Sequence, residues 1–330
     1  MRFSSIPTRY IIRRAVYALI ALAIVIVINF ILPRLLPGSP ADIMASGSRL
    51  GALKAQQLTN EFGLNQPVTV QFAKYLQGIF QLPPNFGISY EYQRSVYQVV
   101  MSRLPWTVFL IGTATVLTAI IGLLIGLVSA YHHGKKLDVT NITVSMILWT
   151  VPYFWVAMIM LWVFGVHFGL FPISNNLSFN AASEGPIQYF MDAMQHAALP
   201  IISIVITTYA QYMLIMRSTT LDVIKEDFIT VTKAKGLSSN RILFRHIAKN
   251  AMLPMITMIA LNLGYVVSGA ILVEIVFSYP GVGLLIFQAV TNHDYPLIQG
   301  TFFILATAVI TVNFLADILL AVVDPRIRYR

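Results

Sequence analysis

The stretch TKAKGLSSNRILFRHIAKNAMLP, from Thr232 to Pro254, carries five Lys or Arg residues, one glycine and no acid. Cations in that density attract anionic lipid headgroups or an acidic protein groove. From Asp222, Ile224, Phe228 and Val231 recur at i, i+4, i+7, which predicts a helix with one apolar stripe. Gly236 ends that pattern as a left-handed C-terminal cap would. Ser238 or Ser239 is then placed to cap a second helix, NRILFRHIAKN. In it Arg241, Arg245 and Lys249 make a basic stripe beside an apolar one of Leu243 and Ile247. Helix, glycine corner, helix: the pattern describes a stiff elbow. Such an elbow suits insertion into a partner's groove. Contact with anionic headgroups would account for the charge but not for the corner.

Other residues with chemical potential are few. Glu274 and Asp317 are acids at or near the ends of apolar segments, where a structural hydrogen bond or an ion pair to a neighbouring helix is the expected role. The six histidines show no metal spacing, and His132-His133 reads as a solvated turn. There is no cysteine, hence no disulfide framework or thiolate metal site. The only Gly-Lys, Gly134-Lys135, lacks the upstream glycine of a phosphate loop. No metalloprotease motif, nucleophile elbow or acid pair is found, so no catalytic, cofactor-binding or metal residues are assigned.

The elements that must hold this elbow follow from composition. Of the 330 residues 57% are hydrophobic and 11% charged, with mean hydropathy +0.74. A soluble chain carries about a quarter charged residues. The fold class is therefore an all-α polytopic membrane protein. Six apolar segments, 15–32, 106–131, 139–166, 199–218, 252–276 and 300–323, are each long enough to cross a hydrocarbon core of about 30 Å as a helix. The first follows Arg13 and Arg14 and exceeds a signal-peptide core, so it reads as an uncleaved anchor. Pro152 predicts a kink in the third. Gly122 and Gly126 form a GxxxG pair suited to helix packing, and Asn262, Tyr265 and Gly269 form a small polar face on the fifth segment that either packs or lines a pore.

Lys and Arg fix the expected orientation. Residues 1–14, the 132–138 turn, the 217–249 loop and the C-terminal tail hold 4, 2, 7 and 3 of the 22 basic residues. The other six lie in the long 33–105 segment, and 167–198 and 278–299 hold none. Both termini and the elbow are thus expected in the cytoplasm, and the net charge of +9 reflects topology rather than nucleic-acid binding. The expected organisation is 1–32 as terminal segment and first helix, 33–105 as a small extracytoplasmic domain, and 106–330 as the membrane core, with the elbow loop at 219–250. In the outer domain two short amphipathic helices join around Pro67, and Val70, Phe72, Tyr75, Leu76 and Ile79 share an apolar face. That domain is either a cap on the spans or a docking surface for an external partner.

These features together resemble the membrane-spanning permease subunit of a binding-protein-dependent ABC importer, in its dipeptide, oligopeptide and nickel branch. The likeness covers almost the whole chain. It rests on YIIRRAVYALIALAIVIVINFILPRLLPGSPAD, EFGLNQPVTVQFAKYL, EDFITVTKAKGLSSNRILFRHIAKNAMLP, VEIVFSYPGVGLLIFQAVTNHDYPLIQG and the terminal DPRIRYR. The family's cytoplasmic signature is Glu-Ala-Ala, three residues, glycine, and a later Leu-Pro. Gly236 and Leu253-Pro254 match it, whereas Thr230, Val231 and Thr232 stand where Glu-Ala-Ala would.

The resemblance implies that the elbow is an ATPase-coupling helix, with Thr230, Thr232, Lys233, Ala234, Gly236, Leu237, Arg241 and Arg245 at the contact. It implies two cytoplasmic ATPase subunits holding the ATP and Mg that this chain does not bind, and a second permease chain, usually a paralogue. A solute-binding protein outside and lipid around the spans complete the expected partners, in an inner or plasma membrane. Peptides are the expected solute; nickel and oligosaccharides are alternatives. An ion-coupled secondary transporter is a more remote one, since it would want inverted repeats and buried charges in broken helices.

Overall fold

The computed structural model describes residues 8–35, 66–183, 185–252, 254–256, 258–259 and 270–323. Helix α1 (Thr8–Leu35) exposes Ile12, Val16, Ile20, Ile24 and Val27 along one side and packs its other side on the last helix. Helix α2 (Val68–Ile79) follows Pro67, whose fixed φ suits a helix start. Helix α3 (Val96–Tyr131) and helix α6 (Pro186–Ile224) have 36 and 39 residues, about 54 and 58 Å at 1.5 Å per residue, so each projects beyond a bilayer core. Between them lie α4 (Lys136–Thr150) and α5 (Tyr153–Met160), the latter continued by a π-helical turn, Leu161–His167. Then come α7 (Asp227–Ala234), α8 (from Ser239, π-helical through Ile242–Ile247), α9 (Ile271–Val276), α10 (Val282–Thr291) and α11 (Tyr295–Val323).

The α3–α6 pair is the spine of the fold. Gly122 and Gly126 let the two backbones meet: a Cβ on Gly122 would stand 2.5 Å from the Tyr212 Cβ, and one on Gly126 2.5 Å from the Met213 carbonyl oxygen. Small residues of this kind allow close helix approach where lipid offers no hydrophobic drive to associate.

Among the described residues four helices are long and apolar enough to cross a membrane: Thr8–Ile31, Val96–Tyr131, Pro186–Ile224 and Tyr295–Ala321. The pair Lys136–Thr150 and Tyr153–His167 makes a fifth, broken by a bend of 92°. The expected kink at Pro152 is thus a full break. Val151 adopts an extended conformation (φ −79°, ψ 127°), as a residue before proline favours. The remaining expected span, 252–276, lies partly outside the described residues.

The sequence reading took 278–299 as a loop. It holds α10 instead, with Val282, Gly283, Leu285, Ile286 and Ala289 buried. The outer helix also departs from its expected face: Ile79 is buried and Phe72, Tyr75 and Leu76 pack beside it, but Val70 is exposed and Gln71 is buried, donating to the Gln66 carbonyl at 2.9 Å. The other half of the proposed outer domain, residues 36–65, lies outside the described residues.

Candidate functional site: the α7–α8 elbow

Chain direction reverses between α6 and α8 in two steps. Helix α6 ends at Ile224, and Lys225 and Glu226 break it before α7 begins. Helix α7 ends at Ala234, and Gly236 takes φ +72°. No atom lies within 4 Å of where its Cβ would be, so the need for glycine is one of backbone conformation and not of space. Ser238 is the N-cap of α8, with extended backbone and no side-chain cap bond.

The elbow is clamped to the membrane core by its apolar side. Ile229, Ile242, Leu243, Ile247, Ala251 and Met255 form one buried cluster with Leu127 of α3 and Tyr212 and Met216 of α6. Thr219 donates to the Ala251 carbonyl at 3.2 Å. Leu243 and Ile247 face inward as expected, and Arg241, Arg245 and Lys249 face water together. Thr230, Lys233 and Ala234 are exposed, Leu237 is half-buried, and Thr232 is buried with its hydroxyl on the Phe228 carbonyl at 2.6 Å.

The stripe Ile224, Phe228, Val231 does not hold as one face: Ile224 packs against the buried cluster, but Phe228 and Val231 are 40% and 56% exposed, and Ile229 is fully buried. The break at Lys225–Glu226 resets the helical phase, so a periodicity counted across it from Ile224 fails. The outward surface therefore combines three large apolar side chains, Phe228, Val231 and Phe244, with Lys233, Arg241 and Arg245. Exposed apolar side chains together with cations mark a surface suited to contact with a protein or with lipid headgroups.

In the first turn of α4, Asp138 receives two bonds from Arg217, one from the Gly134 N–H at 3.0 Å, and lies 3.3 Å from His133. The sequence reading counted Arg217 only as a topological charge and passed over Asp138, the lone acid in a basic turn.

At the opposite end of the bundle, Glu274 is fully buried. Its carboxylate accepts the Thr107 hydroxyl and the Leu284 N–H, both at 2.9 Å, and Thr107 in turn accepts the Val282 N–H at 2.7 Å. A Cβ on Gly281 would stand 2.3 Å from the Glu274 Cδ, and one on Gly283 2.8 Å from its Oε2. The glycines of the PGVG stretch therefore make room for a carboxylate. Asp317 pairs with Arg14 at 3.1 Å, joining α11 to α1. Asn262, Tyr265 and Gly269 lie outside the described residues. Among the described residues no group of three or more metal-ligating side chains comes together.

Known proteins place this architecture. Residues 122–329 match the family described as binding-protein-dependent transport system inner membrane component, and residues 7–111 match the N-terminal part of such membrane components. The chain belongs to this family of transport permeases. It is 31% identical to the dipeptide transport system permease protein DppB of Escherichia coli (strain K12), covering 98% of this chain and 99% of the relative. It is 32% identical to the di/tripeptide transport system permease protein DppB of Pseudomonas aeruginosa (strain UCBPP-PA14), over 93% and 94% of the two chains. It is 33% identical to the oligopeptide transport system permease protein AppB of Bacillus subtilis (strain 168), over 97% and 99%.

Proposed function

We propose that this chain is the permease subunit of an ABC importer for di- or oligopeptides and forms half of the translocation pathway. The observation that carries this reading is the near-full-length likeness to three permeases named for peptide transport. ATP and Mg are held by two cytoplasmic ATPase subunits. A second permease chain, a paralogue, supplies the other half of the pathway, and an extracytoplasmic binding protein delivers the solute. Both termini and the elbow lie in the cytoplasm of an inner-membrane protein, in keeping with the basic residues of its short loops.

The elbow is the coupling element. Thr230, Lys233, Ala234, Arg241 and Arg245 meet an ATPase cleft, with Phe228, Val231 and Phe244 as apolar anchors. Thr232 and Leu237 stiffen it from within, and Gly236 sets its angle. Closure of two ATPases draws two elbows together. Because this elbow shares a core with the ends of α3 and α6, the displacement reaches the spans and shifts them between inward- and outward-facing states. Asn262, Tyr265 and Gly269 remain proposed as pore-lining residues.

Uptake of labelled di- and tripeptides into vesicles carrying the whole complex tests the solute. Peptide uptake that requires ATP supports the reading. Uptake of nickel or an oligosaccharide in its place would keep the importer and replace the solute.

A further inference from the structure

Helix α10 is held at both ends by fully buried carboxylates, and each ties it to a different surface. At its start Glu274 takes the Leu284 N–H and the Thr107 hydroxyl, and Thr107 takes the Val282 N–H. At its end Asp294 accepts the Ser89 hydroxyl at 2.6 Å, the Glu91 N–H at 3.1 Å and, through its other oxygen, the Leu297 N–H at 3.1 Å. In its middle Gln288 accepts the Tyr92 hydroxyl at 2.9 Å. Ser89, Thr107, Glu274 and Asp294 are all sealed from solvent.

Hydrogen bonds in a dry surround are costly to break, because each lost bond leaves a buried polar group without a partner. Residues 89–92, α10 and the end of α9 are therefore joined by one continuous set of buried hydrogen bonds. Apolar contacts reinforce it: Leu285 and Ala289 of α10 share a core with Ile79 of α2 and with Phe86, Val96 and Val100. Along the chain, α2 and residues 89–92 belong to the 33–105 segment. Glu274 ends the apolar segment that begins at the elbow, beside Leu253-Pro254.

We propose that Asp294 and Glu274 are positioning residues that carry a displacement of the outer segment through α10 into the fifth apolar segment. In this way they transmit arrival of a solute-binding protein to ATP hydrolysis on the far side. The proposal rests on the importer reading above. The two ends act in series, so cutting either one is enough to break transmission.

ATP hydrolysis by the reconstituted complex, with and without the binding protein, tests this on Ser89→Ala, Thr107→Val and the double variant. Both single changes nearly preserve side-chain volume. Basal hydrolysis should stay within about twofold of wild type, while stimulation by the binding protein falls about fivefold or more, an ordinary coupling strength. The double variant should fall no further than the worse single one, whereas independent supports would add. Unchanged stimulation, additive losses, or an equal fall in basal and stimulated rates each overturn the relay. A wild-type complex that the binding protein does not stimulate overturns the importer reading and the relay with it.

Discussion

Arg217 grips Asp138 with two nitrogens, Nε on Oδ1 and Nη2 on Oδ2, each at 2.7 Å. The residues are 79 positions apart and join the first turn of α4 to α6 where α6 leads toward the elbow. The Asp138 side chain is 2% exposed and that of Arg217 18%. Removing the cation alone strands a buried carboxylate, so Arg217→Met should cost about 3–5 kcal/mol. Replacing both, as Asp138→Asn with Arg217→Met, should recover part of that loss. Thermal unfolding of the purified protein in detergent reads the difference.

The α3–α6 spine makes a second test. A methyl on Gly126 would meet the Met213 carbonyl at 2.5 Å, and backbone cannot swing aside. Gly126→Ala should cost about 1–3 kcal/mol of stability through overpacking. The same change at Gly134, which has open space but φ +76°, should cost less and act through backbone strain alone. Tm values of the two variants in one detergent should rank in that order.

Orientation is tested by labelling, and the cysteine-free chain gives a clean background. Gln71 is a poor probe site because the structure buries it; Ala73, on the same helix, is exposed. Ala73→Cys should react with an impermeant thiol reagent added outside intact cells, and Ser239→Cys only after the membrane is opened. The reverse pattern would invert the topology.

How far the sequence could be read depends on the range of the signal. The spans are legible because a long apolar run has one physical solution in lipid. The glycine corner is legible because positive φ at a helix end selects glycine, and Gly236 adopts it. Helix α10 was missed because it is only ten residues long and flanked by turns, too short for a span and too short for its periodicity to mark a buried helix. The α7 face was misjudged because the break at Lys225–Glu226, just before this eight-residue helix, shifts its phase relative to Ile224. The pairings Asp138–Arg217, Thr107–Glu274 and Ser89–Asp294 join residues 79, 167 and 205 positions apart, which local spacing does not encode.

The central claim is that the elbow couples ATP hydrolysis to solute movement, and Gly236 tests it most directly. A β-branched residue at φ +72° is strained by roughly 1–2 kcal/mol or more, and with nothing near its Cβ the strain falls on the corner rather than on the spans. Arg245→Glu changes the exposed face without touching the corner, and should weaken ATPase assembly in a salt-dependent way. The deciding measurement is solute uptake per ATP hydrolysed, in vesicles carrying the whole complex with Gly236→Val. The protein should insert and express normally, yet uptake per ATP should fall well below wild type, or ATPase subunits should dissociate. Wild-type uptake per ATP in that variant would contradict the account and reduce the corner to a convenient helix end.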